Sequence, residues 1–150
     1  MARRIKEEQV TKSILKWLQS KSWEIVCYDF PQSGTGRVLH PDNTVSKTDG
    51  AIIPDIVAIK DKTVVVFENK DRFVLEDFEK INRLRQTTMY NKSFRILLKK
   101  YPYNKIFYGN GMPYTNNNEF KSMEYKHLTD FVVFVSETDI PKTIDGDLLF

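Results

Sequence analysis

The sequence predicts an α/β fold in which a mixed central β-sheet is flanked by α-helices. Three observations carry that expectation. Residues 4–21 and 75–90 place apolar side chains at helical spacing, whereas 57–59, 63–67 and 131–136 alternate or run apolar like buried strands. Lys60-Asp61-Lys62 between two of those runs reads as a tight hairpin turn, which makes one strand pair antiparallel. A strand, a helix at 75–90 and a further apolar run at 94–98 imply a parallel crossover, so the sheet is expected to be mixed.

In the first helix, 4–21, Val10, Ile14, Trp17 and Leu18 form an apolar stripe. At about 100° per residue Glu7 falls near the middle of that stripe and Glu8 on its edge. A carboxylate on a buried face is costly unless it is paired or bound to metal. Acids at a helix start also complement the helix dipole, which would explain either glutamate without chemistry.

A strand near 23–30 follows, and then a loop, 31–50, rich in Gly, Ser, Thr and Asn. Unstructured connections of about twenty residues are uncommon in compact domains, so this one invites a functional reading. Its stretch Gln32-Ser33-Gly34-Thr35-Gly36-Arg37 offers amides, hydroxyls and a cation that can grip a phosphate backbone, with Ser33 and Arg37 as the candidates.

Pro54-Asp55 opens the next apolar run, and Glu68-Asn69-Lys70 closes the one after it. Folding these strands back on each other brings Asp55 beside Glu68 and Lys70, because a hairpin pairs its outer ends. Two carboxylates at a strand end suit a hard cation such as Mg2+, which takes carboxylate and carbonyl oxygen and retains water. The backbone carbonyl of Asn69 is expected to point to the same place. Residues 68 and 70 share a strand face, so the Lys70 ammonium reaches the water or phosphate held there. Such a set suits phosphodiester hydrolysis.

In this pattern, Pro54-Asp55 and then Glu68-x-Lys70, the sequence resembles the PD-(D/E)xK nuclease superfamily, with no substitution at a core motif position. The resemblance covers residues 4 to about 100. It implies the restriction-endonuclease-like fold, Mg2+ (with Mn2+ able to substitute) bound by Asp55 and Glu68, and a glutamate of the first helix at the metal site. Glu7 is the choice and Glu8 the runner-up. Gln86 and Tyr90, one turn apart in the predicted helix, resemble a Gln-x-x-x-Tyr helix motif of RecB-like members that lies against the active site and the DNA backbone. The loop 31–50 is similar to serine-glycine loops before the Pro-Asp strand of archaeal Holliday-junction resolvases and several restriction enzymes.

The remaining segments are read more plainly. Residues 101–118 are turn-rich and crowded with Tyr and Asn, which stack on bases and bond to their edges or make turns and cap a core edge. A short helix at 119–129 precedes the strand 131–136. The tail 137–150 is expected to be loosely ordered unless its closing Leu148-Leu149-Phe150 docks.

With 150 residues and 41% hydrophobic content, the chain suits one well-packed domain. It has no apolar run of membrane length and no cleavable leader pattern, so a soluble, cytoplasmic protein is expected. Cys27, the single cysteine, excludes an internal disulfide and reads as a buried thiol; with the isolated His40 and His127 it makes no zinc site. A net charge of +3 says little by itself, although Arg37, Arg72, Arg83, Arg85, Lys99 and Lys100 are placed to form a basic rim.

The expected function is a Mg-dependent DNA endonuclease, first a type II restriction endonuclease or its cleavage subunit. A structure-selective recombination or repair nuclease comes second, and a non-catalytic DNA-binding module on the same fold is the rival. Double-stranded or branched DNA is the expected partner, cut by a homodimer or by a heteromer with a second nuclease or recognition subunit.

Overall fold

Helix α1 (Glu7–Ser20) buries Val10, Ile14 and Leu18 completely, the stripe that its sequence spacing demands. In this computed structural model, which describes residues 5–30, 35–40, 51–137 and 140–150, it lies against one face of a six-stranded sheet. The strands β1 (Glu24–Tyr28), β2 (Ile56–Lys60), β3 (Thr63–Asn69), β4 (Lys105–Pro113), β5 (Phe131–Val135) and β6 (Lys142–Ile144) stand in chain order. The sheet is mixed: β1–β2–β3 and β5–β6 pair antiparallel, whereas β3–β4 and β4–β5 pair parallel.

Strand alternation divides the core. Ile56, Ala58, Val65 and Phe67 face α1 with Phe131, Val133 and Val135, while Val57, Ile59, Val64 and Val66 face the other side. That second face is covered by α2 (Leu75–Gln86), α3 (Asn91–Leu97), α4 (Asn116–Glu124) and the 3-10 turn Lys126–Leu128. At the β2–β3 turn Asp61 and Lys62 both take positive φ, 50° and 67°, as a two-residue hairpin matched to strand twist requires.

Three expectations need correction. The predicted helix 75–90 ends at Gln86, because Thr87 is extended at φ −114° and ψ 154°. The apolar run 94–98 is helical rather than a strand. An alternating strand would bury Phe94, Ile96 and Leu98 together, but Phe94 and Leu98 are buried four residues apart and Ile96 is 68% exposed. The parallel partner of β3 comes instead from the turn-rich segment, where Gly109 and Gly111 mark close approach and not turns. A Cβ at Gly109 would strike the Phe131 ring, and one at Gly111 would strike the Asn69 side chain and Ile14.

The tail docks on this domain, the condition under which order was expected of it. Strand β6 extends the sheet, and the Phe150 ring packs 4.9 Å from Trp17, 5.6 Å from Trp23 and 5.1 Å from Phe131, centroid to centroid. These contacts staple the end of the chain over α1 and the sheet.

Candidate active site

The β2–β3 register pairs Ile56 with Phe67, and one step further out it sets Asp55 opposite Glu68. The Asp55 amide donates to the Phe67 carbonyl at 3.1 Å, and the Asn69 amide donates to Asp55 Oδ2 at 2.7 Å. The aspartate is thus fixed at both its backbone and its carboxylate. Because β3 runs parallel to β4, its end is also the end of β4, where the Lys70 amide donates to the Gly111 carbonyl at 3.0 Å. Glu68 and Lys70 lie on the face covered by α2; Asn69 turns the opposite way, fully buried, with its Nδ2 donating to Thr11 Oγ1 of α1 at 3.0 Å.

The N-terminal turns of α1 and α2 flank this strand end. Glu7 of α1 places Oε1 3.9 Å from Lys70 Nζ. Glu8 is more exposed and pairs with Lys12 on the outer surface, so the helix phase turns Glu7 and not Glu8 toward the strand end. From α2, Lys80 Nζ lies 3.2 Å from Glu68 Oε2. Asp77, one turn earlier, has a buried Oδ2 with no hydrogen-bond partner among the described residues. Asn110, beside Glu68 in the parallel register, likewise buries an Oδ1 without a partner among them.

The electrostatics follow from this crowding. Burial first, and the facing Glu68 second, push the Asp55 carboxyl up to about 8 against the bond from Asn69. Glu68 is also raised, first by burial, with Asp77 adding and Lys80 opposing. Burial works against the Lys70 ammonium, but Asp77, Glu7, Glu68 and Asp55 outweigh it and hold its pKa above that of an ordinary lysine. Asp77 is raised by burial, against the pull of Lys70 and Lys80.

The donor chemistry fits a hard divalent ion. Two half-buried, mutually repelling carboxylates face each other without nitrogen or sulfur ligands, and a cation relieves the repulsion. Among the described residues no three His, Cys, Asp or Glu side chains gather into a ready-made metal cage. Asp55 and Glu68 are the pair that meets; Glu7 is engaged with Lys70 instead of closing on the same point. Water would supply the remaining ligands, as is usual for Mg2+.

The other candidates are scattered. Arg72 is exposed and bound to Asp71 at 2.7 Å. Gln86 ends α2 and Tyr90 precedes α3, so the one-turn relation is broken, although both line a cavity of about 550 Å3 that Lys80 and Arg83 also border. Arg37 is exposed in a different cavity with His40 and Ser93, and Ser33 lies outside the described residues, as does 41–50.

The basic rim is only partly assembled. Arg85 is consumed internally, bonding Asp130 at 3.1 Å and the His127 carbonyl at 2.7 Å. Lys99 and Lys100 lead to Asn104, which bonds Lys62 at the hairpin turn, the opposite end of β2 and β3 from Asp55 and Glu68.

Asp77, Lys80 and Asn110 were missed by sequence reasoning. For the first two a signal existed: Asp77, Lys80, Ile81 and Leu84 stand at i, i+3, i+4 and i+7, which puts two charges on the helix stripe that packs against the sheet. Asn110 had none, because its segment read as turns. No protein family, curated protein or solved structure matches this chain. Among the described residues no helix is long and apolar enough to cross a membrane.

Proposed function

We propose that this protein is a divalent-cation-dependent DNA endonuclease of the PD-(D/E)xK type, built on a restriction-endonuclease-like fold. The observation that carries the reading is the meeting of Asp55 and Glu68, half-buried and facing, at a strand end with Lys70 on the same face as Glu68. The mixed sheet with helices on both faces supports the same assignment.

A bound Mg2+ would polarise the scissile phosphate and acidify a water. The protein's own groups do the rest. Asp55, anchored by the Asn69 amide, and Glu68 present their oxygens from adjacent strands. Lys70 stays protonated among its four acids, so it serves as a fixed positive charge for the attacking water or the phosphate and not as a base. Glu7 steers that ammonium from the α1 side. By the resemblance, the products carry 5′-phosphate and 3′-hydroxyl ends.

Restriction of duplex DNA, by this chain or with it as a cleavage subunit, is the particular role proposed. One such site cuts one strand, so a double-strand break needs a second site, from a homodimer or another subunit. The test is incubation with plasmid, linear duplex and branched DNA in Mg2+ or Mn2+, with the cut ends mapped and light scattering run alongside. Discrete duplex fragments, abolished by Asp55→Ala, Glu68→Ala or Lys70→Ala, are expected. Cutting only at junctions would replace restriction with recombination or repair, and no cutting under any condition would overturn catalysis.

A further inference from the structure

We propose that Lys80 is the built-in counter-cation of Glu68, that a divalent ion and this ammonium compete for the one carboxylate, and that the displaced ammonium then contacts the phosphate of the bound strand. The inference rests on the nuclease reading above and adds to it a residue outside the acid-acid-lysine set.

Geometry is the first argument. Helix α2 sets Asp77 and Lys80 three residues apart on one face, and β3 sets Glu68 and Lys70 two apart on the face that α2 covers. Lys80 Nζ meets Glu68 Oε2 at 3.2 Å, and the two side chains are only 30% and 12% exposed. A pair this far out of water binds more firmly than a solvated surface pair, so Glu68 does not face an incoming cation as a free ligand.

Charge is the second. Around the strand end Asp55, Glu68, Asp77 and Glu7 supply four carboxylates against the two ammonium groups of Lys70 and Lys80. A divalent ion balances that set, after which Glu68 no longer needs Lys80. The ammonium has somewhere to go: it borders the cavity of about 550 Å3 shared with Arg83, Gln86 and Tyr90, beside the site and open to solvent. A lysine on a four-carbon stem can reach both positions, and once a phosphate arrives it offers the next unmatched negative charge. Cation binding and strand binding are thereby coupled through one side chain.

The experiment is calorimetric titration with Ca2+ of the full chain, in one alkaline buffer for every form. The variants are Lys80→Met, Lys80→Gln as a second substitution should methionine misfold, and Lys12→Met as a charge control on the outer surface. Both Lys80 variants are expected to bind Ca2+ about tenfold more tightly than the wild type, with Lys12→Met unchanged. Binding of an uncleavable phosphorothioate duplex is then measured with and without Ca2+; the gain that Ca2+ confers on the wild type should be largely lost in the Lys80 variants.

Wild-type Ca2+ binding that Lys80→Met and Lys80→Gln leave equal or weaken would overturn the competition and leave the nuclease site standing. An equal rise in Lys12→Met would reduce the effect to net charge and overturn it also. An undiminished Ca2+ gain in duplex binding would overturn the phosphate role. Absence of Ca2+ binding in every form would overturn the site reading itself.

Discussion

Asp55→Asn is expected to stabilise the fold at alkaline pH and to leave it unchanged in acid. The Asp55 carboxyl is raised from the ordinary 3.8 to about 8, first by burial and next by the facing Glu68. A raised carboxyl pKa means that the folded chain holds the proton more tightly than the unfolded chain does. Stability contributed by the protonated form is therefore whole below about pH 4, falls as pH climbs toward about 8, and is gone above it. At about 1.36 kcal/mol per pH unit, that interval sets a ceiling of about 6 kcal/mol.

Two corrections lower the ceiling. Water that reaches the partly exposed carboxyl screens about half of it, and the neutral amide oxygen accepts the Asn69 N–H less strongly, a loss of about 1 kcal/mol. The net gain is about 2 kcal/mol, or about 4–8 °C in Tm for a chain of this size. Thermal unfolding of both proteins from about pH 4 to about pH 9 measures it. Profiles that run parallel across that range, or a variant less stable than the wild type at the alkaline end, would refute the reasoning.

Three further outcomes are expected. Glu7→Gln should lower cation-dependent cleavage by about two orders of magnitude and Glu8→Gln by less than about threefold, because only Glu7 steers Lys70; the reverse ranking in steady-state kinetics would contradict that geometry. Arg85→Ala should cost about 2–3 kcal/mol in chemical denaturation, since it strands Asp130 and the His127 carbonyl, while leaving the salt dependence of DNA binding unaltered; a shallower salt slope would return Arg85 to the DNA surface. Phe150→Ala should cost about 2–3 kcal/mol by opening a void among Trp17, Trp23 and Phe131, and an unchanged urea midpoint would show that the tail contributes nothing.

What could be read from the sequence was whatever local pattern controls. The phase of Val10, Ile14 and Leu18 set the first helix and turned Glu7 inward relative to Glu8, and the length of the hairpin placed Asp55 opposite Glu68. Both follow from fixed periods of about 3.6 and 2 residues, which neighbouring elements cannot alter. The tertiary structure decided matters in which a segment's state depends on its partner. Phe94 to Leu98 is apolar enough for a strand or a helix, and it becomes a helix because β4 takes the place beside β3. The glycines of β4 read as turn residues until the Phe131 ring and the Asn69 side chain are packed against them. Lys80 and Arg85, equivalent cations on paper, part company for the same reason: one is laid against Glu68 and the other against Asp130, and such long-range pairing is fixed only when the sheet and its helices come together.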